Sequence, residues 1–68
     1  MIERLGNDLR AAREAVGWTQ AQLAERVGVS RKTINTVENG VFIPSTLLAL
    51  KLARALGKPV EALFSLEA

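Results

Sequence analysis

Gln20-Ala-Gln-Leu-Ala-Glu-Arg-Val-Gly-Val-Ser-Arg-Lys-Thr-Ile-Asn-Thr-Val-Glu-Asn39 is the stretch on which the reading of this chain turns. It predicts two short helices joined by a tight turn. Thr19-x-x-Gln22 is a capping box that starts the first of them, and Gly28 stops it in a turn where a positive φ is expected. Ser30 caps the second helix, and Asn39-Gly40 closes it. Leu23, Ala24 and Val27 form one buried face, and Ile34 and Val37 form the other. Two helices joined this closely must cross steeply. Ala24 then sits at the closest approach, where a larger side chain would push the helices apart.

The rest of the chain continues the helical pattern, with turn signals every ten to fifteen residues and no alternating run of strand length. A first helix is expected from Asn7 or Asp8 to Val16, with Leu9, Ala12 and Val16 facing inward and Gly17 ending it. Pro44 and Ser45 open a fourth helix that runs through Leu56 to Gly57, with Leu48, Leu52, Ala55 and Leu56 as its core stripe. Pro59 begins a short fifth helix carrying Val60, Leu63 and Phe64. The expected fold class is all-α: a compact bundle of five short helices in a single domain over residues 1–68, with the decisive pair at about 19–39 and a loose N-terminal end.

Composition narrows the chemistry. The chain has 68 residues and neither cysteine nor histidine, which removes disulfides, thiolate zinc sites, the commonest metal ligand and the commonest general base. There is no glycine-rich phosphate loop and no carboxylate cluster beside a nucleophile, so the expectation is no enzyme, no cofactor and no metal site. A chain this short buries only about 60% of its unfolded surface, and small domains often gain stability from a second subunit. The net charge is only +2. Its placement says more, because Glu38 is the single acid between Arg26 and Gly40, a span that also holds Arg31 and Lys32. The N-terminus lacks the apolar run of a signal peptide. The apolar stretch near residue 50 is interrupted by Lys51 and Arg54, so no membrane span and a cytoplasmic location are expected.

The segment 20–39 resembles the phage-repressor or Cro-like helix-turn-helix family, also called the xenobiotic-response-element family. The likeness extends through Leu9-Arg-Ala-Ala-Arg-Glu14, Gly17-Trp-Thr-Gln20, Glu38-Asn-Gly40, Pro44-Ser45, Leu48-Ala-Leu-Lys-Leu-Ala53, Ala55-Leu-Gly57 and Val60-Glu-Ala-Leu-Phe64. It implies a lambda-repressor-like DNA-binding fold whose third helix lies in the major groove of double-stranded DNA. With Ile34 and Val37 turned inward, Arg31, Lys32, Asn35, Thr36 and Asn39 lie on the outer side of that helix. By resemblance Arg31, Lys32 and Thr36 hold the base-reading positions, the first two suited to guanine O6 and N7. Thr19, Gln20, Asn35 and Asn39 are the implied contacts to the DNA backbone, helped by the free N–H groups at the start of the second helix. Arg13 and Glu38 match a structural ion pair, and Trp18 matches a core position. Val41 departs from the family, which often has Lys there.

A reading helix covers about four to six base pairs, too few for useful specificity, so a homodimer on an inverted repeat is implied, its reading helices about 34 Å apart. The candidate interface residues are Leu47, Phe64 and Leu66. Val41, Phe42 and Ile43 form an apolar loop, with Phe42 expected in the core. The smallest members of the family further imply that the two chain ends can pair as a short strand ladder. Transcriptional regulation, most simply repression, is the leading expectation. The alternative is an antitoxin or other protein-interaction module on the same fold.

Overall fold

The computed structural model describes residues 4–67, in the order β1 (Arg4–Asn7), α1 (Leu9–Ala15), α2 (Gln20–Val27), α3 (Arg31–Glu38), α4 (Thr46–Leu56), α5 (Val60–Leu63) and β2 (Phe64–Glu67). The five helices lie where the turn signals placed them, and α2, α3 and α4 each begin with a side-chain cap. The Thr19 Oγ1 accepts from the Gln22 N–H at 3.1 Å, and the Gln22 Oε1 accepts from the Thr19 N–H at 2.8 Å. Ser30 and Ser45 each accept from the backbone N–H three residues on, both at 3.1 Å. Such caps satisfy backbone donors that have no partner inside the helix. At Gly28 the chain adopts φ +75° and turns from α2 into α3 with only Val29 and Ser30 between it and the next helix.

Leu9, Leu23, Ile34, Val37, Leu52 and Leu63 are all but inaccessible, so each of the five helices supplies at least one side chain to a single cluster. Trp18, Val29, Ala49, Ala55 and Val60 pack around its margin. Three inward positions differ from the helical expectation. Val16 is exposed because it is the C-cap of α1, past the last full turn, and Arg13 is the buried side chain of that turn instead. On α4, Ala53 is buried and Ala55 only partly so. Trp18 is half-buried rather than enclosed, and the guanidinium of Arg26 lies 4.1 Å above its ring as a lid.

The chain ends bring two strands that sequence pattern alone did not mark. β1 and β2 pair antiparallel, with Arg4 opposite Glu67, Leu5 opposite Leu66, Gly6 opposite Ser65 and Asn7 opposite Phe64. The N-terminal segment from Arg4 is therefore not a loose end; residues 1–3 lie outside those described. The Asp8 N–H donates to the Leu63 carbonyl at 2.9 Å, which holds the foot of the ribbon against α5. A two-stranded ribbon is marginal alone, and here Phe64, 8% exposed, roots it in the core. Phe64 is thus the first residue of β2 rather than the last of α5. Gly6 is buried beneath Glu67, whose side chain fills the place a Cβ would take.

Phe42 also departs from expectation, being 48% exposed. After Gly40 the N–H groups of Val41 and Phe42 both donate to the Thr36 carbonyl, at 3.0 and 3.2 Å. This backbone clamp folds the loop against the end of α3 and leaves the Phe42 ring over a surface groove beside Val29 and Leu47. The turn at Gly28 supplies a test of how much the helix crossing depends on one backbone conformation. Nothing lies within 4 Å of where a Cβ at Gly28 would stand. Gly28→Ala is therefore expected to cost about 1–2 kcal/mol in denaturant unfolding, from left-handed backbone strain alone.

Candidate nucleic-acid interface

The outer surface of α3 carries the residues singled out from sequence. Arg31 and Lys32 stand exposed in its first turn, directly after the Ser30 cap. Asn35 and Thr36, one turn on, are half-buried, and Asn39 is exposed at the C-cap. The Thr36 hydroxyl donates to the Thr33 carbonyl at 3.0 Å, which leaves its methyl group and the oxygen's acceptor lone pairs for an outside partner. Thr19 and Gln20 begin α2 beside this surface, because the Gln20 Nε2 donates to the Asn35 Oδ1 at 3.4 Å.

Behind α3, the helix is bolted in place by one carboxylate. The Glu38 side chain is fully shielded from solvent, and its Oε2 accepts from the Arg13 Nε at 2.6 Å. Its Oε1 accepts from the Arg13 Nη2 at 3.2 Å, the Gln20 Nε2 at 3.1 Å and the Arg10 Nε at 3.3 Å. Arg13 also donates through Nη1 to the Trp18 carbonyl at 2.7 Å. One acidic group thus ties the end of α3 to the middle of α1 and the start of α2. The bidentate fork of an arginine on a carboxylate fixes direction as well as distance. Among the described residues no buried side-chain nitrogen or oxygen lacks a partner.

A second layer of contacts continues outward. The Asn39 Nδ2 donates to the Asn35 Oδ1 at 2.8 Å, and the Asn39 Oδ1 accepts from the Arg10 Nη2 at 3.0 Å. Asn7 donates through Nδ2 to the Val37 carbonyl at 3.2 Å and accepts from the Leu9 N–H at 3.3 Å, so β1 also braces α3. Neither Arg10 nor Asn7 is marked as part of the site by sequence. Arg10 sits three residues before Arg13 and so shares its helix face, which was the available signal. Asn7 reads as an N-cap, a position that Asp8 occupies without a side-chain cap bond.

The other proposed positions separate clearly. Leu47 and Leu66 are exposed, at 64% and 77%, whereas Phe64 belongs to the core of its own chain and is no protruding anchor. No group of three or more metal-ligating side chains exists among the described residues. No helix there is long and apolar enough to cross a membrane.

The bolt has a pH signature. Burial pushes the Glu38 carboxyl up, but hydrogen bonds from Arg13, Gln20 and Arg10 more than reverse this and hold it below its ordinary value. The hydrogen bond to Glu38 in turn raises Arg13 against the opposing effect of burial. A carboxyl with a lower pKa folded than unfolded binds its proton more weakly in the folded state. Its stabilisation is therefore complete above the ordinary carboxylate pKa and lost as pH falls through the folded one. Glu38→Gln is expected to flatten the acid limb of a stability-against-pH curve measured by thermal unfolding. Arg13→Ala, which strands a buried carboxylate, is expected to cost about 3–5 kcal/mol.

Comparison with known proteins places this geometry. The helix-turn-helix family model matches residues 9–63. An HTH-type transcriptional regulator of Methanothermobacter thermautotrophicus is 48% identical over 60 residues, 87% of each chain. The HTH-type transcriptional regulator YgzD of Bacillus subtilis is 41% identical over 61 residues, 90% of this chain and 92% of its own. The crystal structure of the restriction-modification controller protein C.AhdI from Aeromonas hydrophila superposes with a TM-score of 0.76 at 37% identity, over 79% of this chain and 82% of that one. From the capped helix pair through the closing helix, this chain belongs to the helix-turn-helix family of DNA-binding transcriptional regulators, and it is not an enzyme.

Proposed function

We propose that this protein is a cytoplasmic repressor that binds a palindromic operator as a homodimer, with α3 in the major groove. The observation that carries the reading is the pairing of two exposed cations, Arg31 and Lys32, with a helix held rigidly from behind. Base readout needs side chains delivered at fixed positions, and a helix bolted through Glu38 delivers them without further ordering. Arg31 and Lys32 address guanine edges, and Thr36 offers a methyl to a thymine. Thr19, Gln20, Asn35 and Asn39 border this surface and present donors to phosphates. Occupancy alone suffices for repression, since a protein seated across a promoter excludes polymerase.

The homodimer is supported by apolar surface left uncovered by the fold. Leu47 and Leu50 stand one turn apart on α4, 64% and 55% exposed. Ile43 lies beside Leu50 and Leu5 around a groove of about 280 Å³ whose lining includes Phe64. Leu66 extends this surface as the cross-strand partner of Leu5. Leu47 and Leu66 therefore remain interface residues in this reading, and Phe64 lines the groove beside Ile43 and Leu50. A contiguous apolar face of this kind on a small domain marks an interaction site. A second copy uses it with two-fold symmetry, which suits an inverted repeat.

Selection from a random duplex pool is the direct test. An inverted repeat with half-sites about one helical turn apart is the expected winner. Failure to enrich any sequence would instead favour a protein-interaction module such as an antitoxin. On the selected site, Arg31→Ala and Lys32→Ala are each expected to lose about 1–3 kcal/mol and to relax preference at one position, while Gln20→Ala weakens all duplexes evenly. Sedimentation equilibrium tests the pairing: Leu47→Glu with Leu50→Glu is expected to leave a folded monomer, and an unchanged dimer would exclude this face.

A further inference from the structure

The cations along α3 are unevenly spread. Arg31 and Lys32 occupy its first turn, and from Thr33 to Leu50 the sequence contains no Lys or Arg at all. The loop that follows α3 presents Val41, Phe42 and Ile43 instead, all exposed. A helix lying in a groove passes between two charged strands, and its far end also meets phosphates. At this far end the fold delivers a cation from elsewhere. Arg10, in the first turn of α1, reaches across to the C-terminus of α3.

Charge bookkeeping shows that this arginine is not needed to neutralise what it touches. Glu38 carries one negative charge, and Arg13 already satisfies it with a bidentate fork. Arg10 adds only a 3.3 Å contact through Nε, and its side chain remains 53% exposed against 11% for Arg13. Counting Arg10, Arg13 and Glu38 alone, one positive charge is left over, and it sits on Arg10 at the surface. Its second partner is the Asn39 Oδ1, at 3.0 Å from Nη2. This contact sets the outer guanidinium nitrogens beside the Asn39 amide group. Asp8 and Glu14 line the same shallow surface depression, but neither forms an ion pair with Arg10 among the described residues.

We infer that Arg10 is a DNA-backbone contact, a guanidinium carried by α1 that together with Asn39 takes one phosphate at the C-terminal end of the reading helix. This rests on the operator-binding reading and adds to it a residue outside the helix pair. Two nitrogens are already oriented by Glu38 and Asn39, and the remaining N–H groups of Nη1 and Nη2 are available to an anion. A guanidinium and an amide side by side suit the two free oxygens of a phosphodiester. The contact adds affinity without sequence information, because the phosphate is the same at every step.

The experiment measures binding of the full chain to the selected duplex and to an unrelated duplex, by fluorescence anisotropy across a salt series. Each lost phosphate contact makes the negative slope of log K against log salt shallower by about 0.9, so Arg10→Ala is expected to make it shallower by about 0.9 per protomer on both duplexes. Base preference is expected to stay as in the wild type. Arg10→Gln, which keeps a donor at the depth of Nε for Glu38 without the charge, is expected to show the same loss of slope, and Arg10→Lys to restore it. A weaker affinity with an unaltered slope would make Arg10 a brace for Glu38 and overturn the assignment. If the wild-type chain bound neither duplex in a salt-dependent way, the operator reading itself would fall, and the assignment with it.

Discussion

Burying a carboxylate is expensive unless every oxygen lone pair finds a donor and the charge is matched. In this chain both Glu38 oxygens are hydrogen-bonded, Oε1 by Arg13, Gln20 and Arg10 and Oε2 by Arg13, and the arginines match its charge. The arrangement works only if α1, α2 and α3 hold one relative placement, since each contributes a partner. The apolar core does not impose that placement with equal force. Leu, Ile and Val side chains can slide and repack at modest cost, whereas a forked ion pair with a third donor has one good geometry. The angle at which α3 is presented therefore depends on a polar interaction located at its C-terminal end, opposite the end that carries Arg31 and Lys32.

That division of labour runs through the molecule. The faces of α2 and α3 that touch are small and aliphatic, and Gly28 lets them come together within a few residues. The solvent side of α3 is left free of structural duty in its first turn, where Arg31 and Lys32 make no intramolecular ion pair among the described residues. From Asn35 to Asn39 the same surface is increasingly tied into hydrogen bonds with α1 and α2. The helix is consequently free at the end that carries Arg31 and Lys32 and held at the end that carries Glu38 and Asn39. The terminal ribbon adds a brace from the other side, because Asn7 in β1 bonds the Val37 carbonyl of α3.

The proposed pairing of two copies draws on the same economy of size. A core of small helices cannot cover every apolar side chain, and Leu5, Ile43, Leu47, Leu50 and Leu66 remain in solvent. In a larger domain such residues would be roofed by another element. Here they lie on α4, on the loop before it and on the ribbon, the surface through which the proposed pairing would run.

What the sequence determined by itself was local: the capping box at Thr19 and Gln22, the serine caps, the turn glycine, and the inward faces of α2, α3 and α4. Each depends on residues within a turn or two of one another, so the helix-turn-helix and its exposed Arg31 and Lys32 were legible in one dimension. The Arg13–Glu38 match came through resemblance to a family, since no local rule joins residues so distant in sequence. Only the tertiary structure decided what depends on remote neighbours. It placed Val16 and Phe42 in solvent and Phe64 in the core. It fixed the register of Arg4–Asn7 against Phe64–Glu67, a ribbon that the resemblance implied but that neither segment marks by a pattern of its own. It also brought Arg10 to the end of α3. Burial and pairing of that kind are set by which surfaces meet after folding, and a four-residue strand or a single arginine holds no trace of its partner until they do.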